Sequence, residues 1–173
     1  FKDIRPFIWY NYHEKEKGVF KNKIWYTPIL NLEDKNQNTL LSQLRYDRKK
    51  TLKKSSFLEV RESNDISVLN SLHEQTFNSQ GINRTAQEKD LLFKITKNSL
   101  DFGYGRLAHV YKDDIPISST LFLFDKTSSY YLFGANSPEY RNTGASTKLL
   151  YDNIMFSYNK GFQKIDFVGA NSP

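Results

Sequence analysis

Two extended runs mixing apolar and polar residues open the chain, at 6–12 and 24–32, separated by the charged, turn-like stretch His13-Glu14-Lys15-Glu16-Lys17-Gly18. The pattern predicts a β-hairpin, with Trp9 and Trp25 packing on it. After the polar stretch Asn36-Gln37-Asn38-Thr39, Leu40, Leu41, Leu44 and Leu52 recur at helical spacing and predict one helix over 39–54. Alternation at 57–61 suits a strand. Asn64 or Asp65 is then placed to cap a second helix carrying Ile66, Leu69, Leu72 and Phe77 on one side. Beyond the polar segment 78–84, Thr85 and Glu88 have the spacing of a capping box, in which hydroxyl and carboxylate each satisfy the other residue's amide. A third helix follows to about Leu100.

Gly103-Tyr104-Gly105 ends that period. Three strand-like runs succeed it at 107–111, 116–124 and 129–135, with Asp113-Asp114 and Asp125-Lys126-Thr127-Ser128 at the turns, so they form an antiparallel meander. From Thr143 the pattern is helical again, through Leu149, Leu150, Ile154 and Tyr158, until Lys160-Gly161 supplies a C-terminal cap. The run 165–168 is a short buried strand, and strand, crossover helix and strand make a βαβ unit, so it should lie parallel to the third meander strand. The expected class is α/β (α+β): a mixed, mainly antiparallel sheet flanked by helices and preceded by a hairpin. Gly134-Ala135-Asn136-Ser137-Pro138 recurs as Gly169-Ala170-Asn171-Ser172-Pro173, but one such echo is no repeat architecture.

Length fits these elements into one core, at 173 residues. An aromatic fraction of 15%, with 13 Phe and 11 Tyr, makes up for modest hydrophobic content. The chain has no cysteine, which removes disulfides, thiolate catalysis and zinc-thiolate sites, and fits a reducing cytoplasm. No stretch of about 18 apolar residues is present and no signal-peptide pattern precedes the first strand, as in a soluble protein. The chain opens at Phe1 without a methionine and stops at Pro173 directly after an apolar run, and reads as a piece of a longer protein.

A net charge of +6 favours an anionic partner: a nucleotide cofactor, an RNA or a membrane surface. The cations concentrate in the predicted helix 39–54, where Arg45, Lys49 and Lys53 stack at four-residue spacing beside Arg48, Lys50 and Lys54. Arg45, Arg48, Lys49 and Lys53 are therefore candidate contacts for RNA or another anion; a solvated helix face is the plainer alternative. His73 falls within a helix, far in sequence from His13 and His109, and no acidic residue stands at ligand spacing, so no metal site is expected.

The strongest candidate for chemistry is Arg141-Asn142-Thr143-Gly144-Ala145-Ser146, where the third meander strand turns into a helix. A helix N-terminus offers unpaired amides and a positive dipole end to phosphate. Gly144 lets the backbone come close, Ala145 and Ser146 leave room, and Arg141 adds a charge-assisted bond. The alternative is an ordinary helix start with a glycine in its loop. Arg141-x-x-Gly144-x-Ser146 resembles the acyl-CoA pyrophosphate loop of the GNAT acetyltransferases, which reads Gln or Arg, two residues, Gly, one residue, then Gly or Ala; Ser146 departs modestly. A longer match, to the FemAB-type branch and related acetyltransferases, runs through Leu44-Arg45-Tyr46-Asp47-Arg48-Lys49-Lys50, Tyr131-Leu132-Phe133-Gly134-Ala135 with Tyr140-Arg141, and Gly161-Phe162 leading to Asp166-Phe167-Val168-Gly169.

The resemblance implies a central sheet splayed around the donor and direct acyl transfer to an amine, without a covalent enzyme intermediate and with no metal. It implies acyl-CoA as donor, or aminoacyl-tRNA in the FemAB type, whose members build two such domains. On that basis 1–36 would be the tail of a preceding GNAT-like half and 37–173 a GNAT-like acyltransferase domain, truncated at its end. The acceptor, an amino sugar, amino acid or peptide, is open, as is the oligomeric state. Asp166, flanked by Ile165, Phe167 and Val168, is a candidate to accept a proton from the amine or orient it, because burial raises a carboxylate's pKa. Tyr140 is a candidate proton donor to the leaving group. A backbone amide on the strand before the donor loop would assist the carbonyl oxygen. The rival is a GNAT-shaped module that grips RNA or another anion without chemistry.

Overall fold

The computed structural model describes the backbone of residues 3–10 and 22–169, with side chains from Tyr26 onward. The turn at His13 to Gly18, the packing of Trp9 and Trp25, and the end of the echo at 170–173 lie outside the described residues. β1 (Asp3–Tyr10) and β2 (Asn22–Asn31) pair antiparallel, with Phe7 opposite Trp25, as the hairpin pattern predicts.

The helix expected over 39–54 is two helices, α1 (Gln37–Ser42) and α2 (Tyr46–Lys54). α1 starts on Asn36, whose side chain accepts from the Thr39 amide at 2.9 Å, and buries Leu40 in the core. Leu41 is exposed, and α2 buries no residue. The leucines thus answer to tertiary packing on one short helix rather than to one continuous apolar face. Arg45 is extended, with φ −58° and ψ 150°, which breaks the ladder, and Lys49 Nζ bridges the break to Ser42 O at 2.8 Å.

β3 (Glu59–Glu62) is followed by α3 (Ile66–Asn78), whose Asp65 cap accepts from the Ser67 amide, and α4 (Ala86–Asp101), which begins with the expected Thr85–Glu88 capping box. The meander is β4 (Gly105–Lys112), β5 (Ile115–Phe124) and β6 (Ser128–Asn136). Asp113 and Asp114 join the first two strands with φ of 50° and 61°, the left-handed pair a tight hairpin requires. A 3-10 helix (Pro138–Thr143) leads to α5 (Ala145–Asn159) and then β7 (Lys164–Asp166). β7 ends earlier than the apolar run suggests, because Val168 has left the strand with φ 41°.

These strands form one seven-stranded sheet in the order β1-β2-β7-β6-β5-β4-β3. Its one parallel pair is β6 with β7, joined by α5 as the βαβ rule requires. The hairpin pairs with β7 through β2, so the sheet is continuous across residue 36. One face packs Leu107, Leu121 and Ala135 under Leu69 and Leu72 of α3 and Leu92 of α4. The other packs Phe122 and Ile165 with Ile154 of α5 and Leu40 of α1. Each such buried Leu, Ile or Phe side chain contributes on the order of 1.5–3 kcal/mol. Among the described residues no helix is long and apolar enough to cross a membrane.

Candidate active site

Gly144 is the bend between β6 and α5, and glycine is required there twice over. Its φ is +84°, and a Cβ would come within 2.7 Å of Thr51 Cγ2 on α2, which packs against the bend. Thr143 Oγ1 donates to Tyr140 O at 2.7 Å and receives only a long contact, 3.4 Å, from the Ala145 amide. No side chain caps the helix. The ladder begins with Lys148 N donating to Gly144 O at 3.0 Å, so the amides of Ala145, Ser146 and Thr147 lie ahead of it. Ala145 is buried, while Arg141, Asn142 and Ser146 are exposed. The Ser146 hydroxyl donates to Asn136 Oδ1 at 2.6 Å, which also receives Ser118 at 2.7 Å, tying the helix start to the end of β6. Arg141 makes one weak bond, from Nε to Pro138 O at 3.3 Å.

The second feature is a split in the sheet. β6 and β7 pair only at Ser128 with Lys164, Ser129 with Ile165 and Tyr130 with Asp166. β6 continues to Asn136 with no strand partner on that side among the described residues; Thr76 Oγ1 of α3 accepts from the Asn136 amide at 3.1 Å and lies 2.9 Å from the Asn136 carbonyl, so the open edge spans 131–135, about 16 Å at the usual rise per residue. That edge runs from the split to the α5 N-terminus, and unpaired strand amides and carbonyls are a template for an extended, polar ligand arm. Opposite β5, Phe133 pairs with Leu121 and Tyr131 with Phe122, so Leu132 is an extra residue, a β-bulge beside the split.

Asp166 stands at the base of the split, half-buried. Its Oδ1 accepts from the Thr27 hydroxyl and from the Val168 amide at 2.8 Å. The sequence candidates therefore occupy the two ends of one open edge, Asp166 at one and Arg141 to Ser146 at the other. The Tyr140 ring packs on the cluster of Leu58, Val110, Ile117, Ala145 and Leu149, with Lys112 Nζ 5.4 Å from its centroid.

The basic helix divides as well. Arg48 turns toward the start of α5, its Nη1 at 3.4 Å from Thr147 Oγ1 in the first turn of that helix. Arg45 pairs with Asp47 at 3.3 Å, Lys49 is held by Ser42 O, and Lys53 is exposed. The approach of Arg48 has no sequence signal, since 99 residues separate it from Thr147.

The two described histidines, His73 and His109, are buried. His109 is buried with Nδ1 at 2.9 Å from Ser119 Oγ and Nε2 at 3.2 Å from Asp65 O, and burial lowers its pKa. Burial, with Arg84 nearby, pushes His73 down to about 4, and its ring stacks near Phe77 and Phe133. His13 lies outside the described residues. Among the described residues no group of acidic or histidine side chains could hold a metal ion. Sequence reasoning missed the buried Arg106, which donates to Asn153 Oδ1 at 2.5 Å, Asp152 Oδ2 at 2.8 Å and Glu62 Oε2 at 3.1 Å and pins α5 to the sheet.

A helix start open to anions, at the end of a strand whose edge is splayed from its parallel neighbour, coincides with a family match. The family model for the acetyltransferase (GNAT) domain covers residues 39–173. The chain belongs to the GNAT acetyltransferase family. Among solved structures this GNAT domain is similar to a crystal structure of FemX, with TM-score 0.71 and 15% identity over 85% of this chain and 54% of that one. It is also similar to the C-terminal DUF2156 domain of a putative lysylphosphatidylglycerol synthetase from Agrobacterium fabrum, with TM-score 0.61 and 9% identity over 96% of this chain and 49% of that one. A predicted acetyltransferase with acetyl-CoA from Clostridium acetobutylicum superposes with TM-score 0.53 and 18% identity over 62% of this chain and 78% of that one. At these identities the likeness is one of fold, and the chain spans about half the length of the FemX and DUF2156 structures. No curated protein sequence matches this one.

Proposed function

We propose that this GNAT domain is an N-acyltransferase that moves an acyl group from acyl-CoA to the amine of a small-molecule, amino-sugar or peptide acceptor. The observation that carries this is the open edge of β6 leading from the uncapped start of α5 to the split at Asp166. The donor's pyrophosphate takes the amides of Ala145, Ser146 and Thr147, with Arg141 closing over it from Asn142 and Thr143. The arm of the donor lies along 131–135 and brings its carbonyl to the bulge, where a β6 backbone amide stabilises the developing oxyanion. Asp166 Oδ2 receives the acceptor amine while Oδ1 is held by Thr27 and Val168. No covalent enzyme intermediate and no metal are needed. An acyl-CoA donor fits a cytoplasmic reaction, and we read 1–36 as the tail of a preceding GNAT-like half.

A second reading, an aminoacyl-tRNA donor or plain RNA binding, is favoured by α2. Between Arg45 and Lys54 six cations face one carboxylate, and Arg48 reaches the α5 start. The two readings part in one experiment. If acetyl-CoA raises the Tm of the chain and Arg141→Ala removes the shift, the acyl-CoA reading stands. A shift with RNA alone, lost in Arg48→Ala and unaffected by Arg141→Ala, would replace it.

A further inference from the structure

α2 carries its lysines and its arginines on different sides. Thr51 packs against the bend at Gly144, Arg48 reaches Thr147 Oγ1 at 3.4 Å and Leu52 is partly buried, so this side of the helix faces α5. Tyr46, Lys49, Lys50 and Lys53 stand at i, i+3, i+4 and i+7 and share the outer side, with Lys54 beside them. α2 buries none of its own residues. Its one carboxylate, Asp47, lies 3.3 Å from Arg45 Nε and 3.7 Å from Arg48 Nε, so the arginines answer it and the lysines do not. Lys49 Nζ is held by Ser42 O. Lys50, Lys53 and Lys54 make no hydrogen bond and no ion pair among the described residues.

Exposed rings flank these lysines. Tyr46, the first residue of α2, is 82% exposed, and Phe57, in the turn just past its end, is 65% exposed. Neither ring serves the core. A lysine is a compact charge that attracts an anionic surface without reading its shape, whereas an arginine fork grips individual phosphates, and here both arginines are engaged away from the lysine face. Lysines flanked by exposed aromatic rings are the make-up of a helix lying at a lipid–water boundary, with cations on headgroups and rings among the first carbons of the chains. We propose that the outer face of α2 docks this domain on an anionic lipid surface, with Lys50, Lys53 and Lys54 meeting headgroups and Tyr46 and Phe57 entering the boundary. The RNA reading above runs through Arg48 on the other side of the helix, so the two are separable by substitution. Neither the lysines nor the rings touch the proposed donor site, and the docking stands whichever donor the domain uses.

The test floats the whole chain with vesicles of phosphatidylcholine alone, and with vesicles in which a quarter of the lipid is phosphatidylserine, at about physiological salt. The chain should rise with the second and not with the first. Lys50→Gln, Lys53→Gln and Lys54→Gln together should weaken that binding about a hundredfold, roughly fivefold for each lysine, with Tm unchanged. The same loss of charge on α4, at Lys89, Lys94 and Lys97, should change it no more than about twofold, because those lysines lie on another surface. Tyr46→Ser with Phe57→Ser should leave a weaker association that high salt abolishes. Absence of flotation with the anionic vesicles overturns the proposal, as does flotation that survives the α2 lysine substitutions or falls equally with those on α4. Bulk tRNA serves as the second probe. If tRNA binds the chain through Lys50, Lys53 and Lys54 while no vesicle does, the face belongs to RNA and the lipid assignment falls.

Discussion

α4 and α5 begin in opposite ways. At the start of α4, Thr85 Oγ1 accepts from the Glu88 amide at 3.2 Å and Glu88 Oε2 accepts from the Thr85 amide at 2.8 Å. At the start of α5 a left-handed glycine stands where that cap would be, no side chain closes the turn, and the residues that hold it in place grip it from outside: Asn136 through Ser146, and Thr51 and Ser55 through contact with Gly144. The first arrangement spends its polar groups on itself and leaves nothing for a ligand. The second positions the helix equally firmly while keeping its leading amides unspent, which is what an anion site requires.

The sharpest way to break this contrast is to give α5 a side chain at the bend. Gly144→Val forces a β-branched residue into φ +84° and against Thr51 Cγ2 at 2.7 Å. Urea unfolding should register a loss of about 3 kcal/mol, and the acetyl-CoA shift should vanish with it. Removing the cap of α4 is milder and cleaner. Thr85→Ala should cost about 1 kcal/mol and leave the acetyl-CoA shift unchanged, because that helix start serves only itself. A change in donor binding on Thr85→Ala would sink the division of labour between the two helices.

Both helix starts were legible in the sequence because their determinants are local: Thr85 and Glu88 stand three residues apart, and Gly144 sits between a strand pattern and a helix pattern. The parallel placement of β7 was legible because chain connectivity dictates it. What escaped was set by distant packing. The spacing of Leu40, Leu44 and Leu52 gives no hint that the chain turns at Gln43 to Arg45, since the burial of Leu40 is decided by Phe122 and Ile165. Nor does it show that Thr27 holds Asp166 from 139 residues away. The closeness of the Tyr131 hydroxyl to Gly134 escaped for a different reason: it depends on the bulge at Leu132, and a bulge is the point at which strand alternation stops reporting the face.

The smallest effect comes from the charge on the α4 cap. Bonds from the Thr85 amide and then the Thr85 hydroxyl hold the Glu88 carboxyl below the usual carboxylate range. The folded-state pKa is therefore depressed relative to the unfolded chain. The stabilisation it brings is present above the ordinary carboxylate value and is lost as pH falls through the depressed one. Glu88→Gln keeps the shape of the cap and loses the charge at a positive helix end. Urea midpoints should thus show the unsubstituted chain slightly ahead of Glu88→Gln at neutral pH, with the gap closing on acidification. Exposure and salt screening keep that gap small. A gap that stays constant from neutral pH to below the carboxylate range would mean that Glu88 caps α4 through geometry alone. The contrast with α5 would then lie in hydrogen bonds rather than in charge.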